Sequence, residues 1–449
     1  MGLQWFPFIV ITSILLLPGI MPASAQTDTM RLSLQEAIDY ALQHNRTMQN
    51  ARLDYLITKK RTIEIIAEGL PQLEGKITYK NQFELPTSLI PGTFIPGSNE
   101  EFIELKFGTR HNLNVDFTAY QSLIEGRYFI GLKANKTLLG ISREQTEIAE
   151  SNLKNQVSKA YYAVLVAEEN ARIIEKNIAT VTRLLNETRE LYKNGFQDEL
   201  AVDRLELSLS NLVSRKKEIS LQTEVSRDAL KYQLGLPSET TLQLTESLEA
   251  LLAAGTLPDV QSFDYTQRNE YQLLNHQKIV RGYEAASYAA GYAPALSAFV
   301  GYGFNAQRTR FDLFNPDKPW FRSGYFGLEI RWQIFDSFKK GAIYQQKKLD
   351  QQKINNQIDD FKQQAGLEVK NAFSAYQNAL EEFSNQKKNL ALAEKIYTKT
   401  QVMYQEGIGS SMELAQAEST LTETQANYLR SIYDLLVKRS DLMKALGYE

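Results

Sequence analysis

Between Leu153 and Tyr192, the residues Leu153, Val157, Ala160, Val164, Ala167, Ala171, Ile174, Ile178, Val181, Leu185, Thr188 and Tyr192 recur at alternating steps of four and three. That spacing holds a narrow, mostly apolar seam on one side of a helix, the pattern of a coiled coil. Alanine at three of these positions lets neighbouring helices approach closely. The seam ends at Tyr192-Lys193-Asn194-Gly195, where glycine readily takes the left-handed geometry that stops a helix.

The same pattern occurs twice. Displaced by 212 positions, Val157 meets Val369, Ala160 meets Ala372, Asn177 meets Asn389, Tyr192 meets Tyr404 and Gly195 meets Gly407. Beyond the turn, Glu206 meets Glu418, Leu209 meets Leu421, and Leu234-Gly235 meets Leu446-Gly447. An ungapped match over about eighty residues is a duplication. The chain therefore divides into a first unit over 26–236, a linker over 237–260 and a second unit over 261–449.

Within the first unit the periodicity predicts a helix over 34–70, with Ser33 as N-cap and Glu36 three residues on. Two strands of period two follow, 72–83 and 111–121, separated by a proline- and glycine-rich loop. Helices over 133–191 and 198–234 complete it. The second unit repeats the order, with a helix over 265–290, strands 294–307 and 322–336, and helices 341–405 and 411–446. The longest helices would reach roughly 90 Å at ~1.5 Å per residue.

The four strands are apolar on one face. Leu113, Val115 and Phe117 alternate with Asn112, Asn114 and Asp116; Leu328, Ile330 and Trp332 alternate with Glu329, Arg331 and Gln333. Such strands suit the wall of an outer-membrane barrel with the polar residues toward a water-filled lumen. Four strands cannot close a barrel, and an open edge cannot sit in lipid, so closure needs several copies; three would supply twelve strands. Trp320, Phe321, Tyr325 and Trp332 are candidates for an interfacial aromatic girdle.

Composition narrows the chemistry. Residues 1–25 read as a signal peptide, with an apolar run from Phe8 to Leu17 and a small-x-small site at Ala23-Ser24-Ala25. The chain has no cysteine, which excludes disulfides, thiolate metal sites and a lipidated N-terminal cysteine. Its three histidines, His44, His111 and His276, are far apart in sequence, and no catalytic constellation, metal site or cofactor is expected. A net charge of −3 gives no footprint for nucleic acid.

These features resemble the TolC family of trimeric outer-membrane efflux and secretion channels. The resemblance rests on Leu34-Gln-Glu-Ala-Ile with Ala41-Leu42 and Asn45, the breaks Leu70-Pro71 and Ala293-Pro294, and Phe335-Asp336 before Gly341. It rests equally on the turns Tyr192-x-x-Gly195 and Tyr404-x-x-Gly407, each followed by a glutamate, Glu206 or Glu418. The resemblance implies a mainly α fold with a membrane β part: a long α-helical barrel and a trimeric twelve-stranded β-barrel in the outer membrane. It further implies a homotrimer surrounded by outer-membrane lipid, a periplasmic adaptor protein at the helix tips, and an inner-membrane RND, ABC or MFS transporter.

Carried onto this sequence, the resemblance makes Gly195, Phe196, Gln197 and Asp198, with Gly407, Ile408, Gly409 and Ser410, candidates for adaptor contact. The plainer reading of the glycines is helix capping, and the two roles are compatible. Glu413 matches the first position of an acidic pore constriction; Gln416 matches the second but lacks the charge. Glu413 is otherwise a solvated surface residue. Tyr404 matches a tyrosine that ties a closed gate, and its seam position fits plain packing equally well. Arg204, Asp198 and Glu199 are alternative latch partners.

The expected function is a passive, gated exit duct of a tripartite efflux pump or type I secretion system, not an enzyme. The rivals are an envelope stalk without a pore, which leaves the strands unexplained, and an adaptor protein, which would carry one helical hairpin rather than two.

Overall fold

In the computed structural model, residues 29–97, 100–253, 260 and 263–448 of the 449-residue chain are described. The signal peptide expected over 1–25 lies outside them. The first described element, β1 (Met30–Leu32), pairs in parallel with β6 (Leu242–Leu244), so the linker, expected to hold at most a short amphipathic helix, carries a strand as well as the short helix α5 (Leu248–Ala253).

The helix expected over 34–70 is two helices. α1 (Leu34–His44) starts in a capping box, with Glu36 and Ser33 exchanging side-chain and backbone hydrogen bonds. The chain breaks at Asn45, whose backbone is extended, and α2 (Arg46–Ala67) begins. Asparagine does this because its side-chain oxygen takes the orphan amides of Thr47 and Met48, at 2.8 and 3.2 Å. Its amide nitrogen also donates to the Gln233 carbonyl at 2.8 Å, pinning the break to the end of α4 (Glu199–Leu234).

Strand β2 (Gln72–Asn81) leads into a segment expected to be irregular. It contains a hairpin, β3 (Thr87–Pro91) with β4 (Phe102–Lys106). Its prolines mislead: Pro86 precedes the hairpin, Pro91 ends its first strand and Pro96 lies in the connection, where a missing N–H costs no ladder bond. β5 (His111–Ile124) continues past its expected end at 121, through a register irregularity between Ser122 and Ile124. The helix that follows, α3 (Gly126–Lys193), begins seven residues before its expected start at 133.

In the second half, α6 (Asn269–Ala290) starts later than 265, because Tyr265–Gln267 forms a separate 3₁₀ turn. β7 (Ala295–Arg308) and β8 (Phe321–Arg331) follow, then α7 (Lys339–Gln405) and α8 (Ser411–Leu446). β8 stops at Arg331, short of the expected 336. The Trp332 indole there donates to the Tyr292 carbonyl, and Ser337 and Phe338 turn the chain with positive φ angles.

The four long strands form one antiparallel sheet in the order β2-β5-β7-β8. One face presents large apolar residues to the outside: Leu73 and Ile77 on β2 are 75% and 74% exposed, and Phe326 on β8 is 89% exposed. The helices form a layer beneath. Near the sheet they neighbour one another as α2, α3, α6, α7, and near the far end as α4, α3, α8, α7. β2, α2 and α4 therefore flank one side of the chain, and β8 and α7 the other. No helix among the described residues is long and apolar enough to cross a membrane. At 68 residues, α3 runs roughly 100 Å at ~1.5 Å per residue.

The main core sits midway, where α1, α3, α4 and α8 meet. Tyr161, Leu230, Leu234 and Leu436 are wholly buried there, and the Tyr161 hydroxyl donates to the Leu32 carbonyl at 3.1 Å. The heptad seam of α3 is buried or half-buried from Leu153 to Thr188, and it emerges at Tyr192.

Candidate functional site at the paired helix tips

Two hairpins end at the same level. The turn between α3 and α4 passes through Gly195 at φ 77°, and the turn between α7 and α8 through Gly407 at φ 75°. Both angles lie in the left-handed region that glycine enters without a Cβ penalty. The amide following each glycine bonds back to its helix, Phe196 to the Leu191 carbonyl and Ile408 to the Met403 carbonyl. Phe196 and Ile408 are left 78% and 74% exposed at the apices.

The next helices are capped differently. Asp198 is the N-cap of α4 and accepts from the Ala201 amide at 2.8 Å. Ser410 is the N-cap of α8 in a full capping box: its hydroxyl accepts from the Glu413 amide at 3.1 Å, and the Glu413 carboxylate accepts from the Ser410 amide at 3.2 Å. The carboxylate singled out as a constriction acid is thus tied to its own helix end. The sequence carried the signal, Ser410-x-x-Glu413, the same motif as Ser33-x-x-Glu36. Gln416 lies along the exposed face of α8, its amide 3.5 Å from the Thr420 hydroxyl.

Below the tips the hairpins are fastened to each other. Tyr404 is only 3% exposed and belongs to the buried apolar cluster that holds Leu184, Leu185, Val202, Leu205 and Leu414. Its hydroxyl is 3.2 Å from the Thr188 hydroxyl on α3. Burial raises the Tyr404 phenol above its ordinary value, against the opposing pull of that hydrogen bond. Gln405 donates to the Glu187 carboxylate at 3.2 Å. Arg204, one of three alternative latch partners, donates to the Ser411 hydroxyl at 2.8 Å and so joins α4 to the first turn of α8. Glu199 is exposed in the first turn of α4, where its charge complements the helix dipole.

One residue of this joint had no part in the sequence reading of the gate. Glu418 on α8 accepts from the Ser208 hydroxyl of α4 at 2.9 Å and from Thr422 at 3.2 Å. Burial raises its carboxyl above the ordinary range, and the two hydroxyl donors pull the other way. Its duplicate, Glu206, instead pairs with Arg189 at 2.5 Å. Position 401, the counterpart of Arg189, is glutamine, so the second repeat lacks the matching cation. The 212-residue comparison could have found this difference.

In the sheet, Asn114 and Asn305 hydrogen-bond across β5 and β7, and Asp116 lies opposite Gly303 on the same face. Asn112 folds back on its own turn, donating to the Thr109 carbonyl at 2.7 Å. Glu329 and Arg331 pair along one face of β8 at 2.6 Å. Gln333, expected on that face, lies beyond the end of the strand, and its carbonyl accepts from Lys340 at 3.4 Å. Among the described residues, no group of three or more metal-ligating side chains converges.

Residues 275–448 match a family described as outer membrane efflux protein. The chain is 24% identical over 421 residues to the cation efflux system protein CusC of Escherichia coli K12, covering 91% of this chain and 85% of that protein. The fold superposes on crystal structures of CusC with a TM-score of 0.73 at 20% identity, covering 93% of this chain and 92% of that one. It superposes on the open state of the Neisseria gonorrhoeae MtrE outer membrane channel with a TM-score of 0.72 at 20% identity, covering 92% and 89%. The second repeat thus matches the outer membrane efflux protein family, and the duplicated frame of strands and long helical hairpins has the fold of these channels along nearly its whole described length.

Proposed function

We propose that this protein is the outer-membrane exit duct of a tripartite efflux pump or type I secretion system, built from three copies of the chain. The observation that carries the reading is that sheet and helix layer are open on the same two sides. The free edge of β2 lies above the flank of α2 and α4, and the free edge of β8 above the flank of α7. A sheet with an apolar outer face and two unpaired edges is untenable in lipid unless another strand satisfies each edge. Joining β2 of one copy to β8 of the next continues the sheet, and the same step brings α7 against α2 and α4. Three copies then give twelve strands. A stalk without a pore has no use for such a sheet.

The two units, 26–236 and 261–449 about the 237–260 connection, supply the quasi-equivalent halves of the wall. Asn114, Asp116, Glu329 and Arg331 solvate the lumen. The tip residues Gly195–Asp198 and Gly407–Ser410 form the surface for a periplasmic adaptor, and an inner-membrane transporter supplies the energy. Tyr404, Arg204 and Glu418 hold the tips together, while Glu413 and Gln416 line the approach to the constriction. The cargo class follows from the pump the adaptor recruits, since the duct itself does no chemistry.

The test is the detergent-corrected molar mass of the membrane-extracted protein, followed by conductance in planar bilayers. A three-chain particle that forms a pore is expected. A monodisperse single chain that needs no detergent would remove the duct reading and leave a soluble sheet.

A further inference from the structure

The duplication relates contacts as well as residues. In the three-copy reading, each pair of positions that meets between the first and second repeats of one chain has a counterpart pair, displaced by 212 positions, between the second repeat and the first repeat of the copy beside it. Tyr404 and Tyr192 are such counterparts, as are Thr188 and Thr400. Tyr404 is 3% exposed against Thr188, whereas Tyr192, on the same turn of its own hairpin, is 42% exposed.

We propose that Tyr192 of one copy seats against Thr400 of the next, so that every seam around the helix tips is closed by a tyrosine on a threonine, alternately within and between chains.

The surrounding faces support this register. On α8, Gln425 and Lys444 bond to Asn177 and Asn152 of α3 at 2.8 and 2.6 Å. Their counterparts on α4 are Val213 and Tyr232, 52% and 76% exposed. On α3, Asn155 donates to Ser440 of α8 at 3.0 Å; its counterpart on α7, Leu367, is 58% exposed. Where the chain meets itself these positions are polar and satisfied. Where it ends, on the flanks of α4 and α7, they are apolar and bare, which calls for a protein surface rather than water. A second copy is the occupant because the α7 flank continues the same duplicated helical frame: the register sets Val213 and Tyr232 of α4 against Asn389 and Gln364 of α7 in the copy beside it, and Leu367 of α7 against Asp228 of α4. The polar ties are not duplicated, and the partners Glu187 and Gln405 likewise correspond to Lys399 and Lys193, so the seam between chains rests more heavily on its tyrosine.

The inference rests on the three-copy reading above, and its test separates the two. The chain has no cysteine, so introduced thiols are the only ones. Tyr192→Cys with Thr400→Cys in the full chain, in membranes, is treated with a short bismaleimide, since a tyrosine's reach exceeds the span of a disulfide. Products with the mass of two and three chains are expected on a denaturing gel. Thr188→Cys with Tyr404→Cys stays at the mass of one chain. If Tyr192→Cys prevents assembly, Val213→Cys with Asn389→Cys, the counterparts of Gln425 and Asn177, reads the same register at exposed positions. A three-chain particle by light scattering that yields no product between chains overturns the seam and leaves the duct. A single-chain particle overturns both.

Discussion

The Tyr404 hydroxyl lies 3.2 Å from the Thr188 hydroxyl, deep between hairpins that belong to different repeats. The contact combines a nearly fully buried ring with one polar tie, and the two contributions separate by mutation. Tyr404→Phe keeps the ring and loses about 1 kcal/mol with the hydrogen bond. Tyr404→Ala also opens a cavity and costs ~3–5 kcal/mol. Both should raise the mean conductance of the purified channel in bilayers, alanine far more than phenylalanine. Equal effects would mean that the hydroxyl, not the packing, holds the hairpins.

Arg204 tests the second tie. Arg204→Ala removes the bond from α4 to the Ser411 hydroxyl but leaves the capping box at Ser410 intact. The expected result is a more open channel with little change in thermal stability, because the lost bond is part-exposed and worth roughly 1 kcal/mol. Arg204→Lys should restore part of the tie, since an ammonium can donate the same single bond to the hydroxyl. A melting temperature that falls as far as in Tyr404→Ala would contradict this.

The pH dependence of the joint follows from Glu418. Burial raises its carboxyl above the ordinary glutamate value of 4.5, so the packed joint favours the protonated form. Stability from this group is therefore full below about 4.5 and is lost as pH rises through the higher folded value. The wild-type tips should loosen on going from acid toward neutral pH, read as increased cleavage of the α7–α8 turn by a protease active across that range. Glu418→Gln should flatten the profile and Glu206→Gln should not. A pH profile unchanged by Glu418→Gln would dismiss the carboxyl as the sensor.

Asn45 is the hinge of the midway core. Asn45→Ala removes the cap of α2 and leaves the Gln233 carbonyl without its donor. A loss of about 1–2 kcal/mol is expected in urea titrations, with Asn45→Asp recovering the cap but not the bond to Gln233. Full recovery by aspartate would show that the cap alone matters.

The long helices were legible because a seam sustained over many turns is a cooperative signal, and because each tip glycine must adopt a positive φ. The strand pairs were legible from period two. The break at Asn45 was not, since a cap inside an uninterrupted apolar period leaves the pattern unchanged. The β3–β4 hairpin was hidden by prolines at its margins, and the α3 start by Gly126 and Gly131, residues that usually argue against a helix. At the tips, the exposed Phe196 and Ile408 and the buried Tyr404 followed from position in the turn and the seam. The fastening partners Thr188, Ser411 and Ser208 did not, because short hydroxyl side chains take their meaning from what lies across from them.

Fusing two copies into one polypeptide also has an evolutionary consequence at the tips. If the two hairpins came from separate, identical subunits, a mutation at one apex would appear at the other. Here Phe196 and Ile408, Asp198 and Ser410, and Arg189 and Gln401 have already diverged. In the proposed three-copy duct, one set of hairpins is free to be tuned for recognition while the other is tuned for closure, and neither change is imposed on the other.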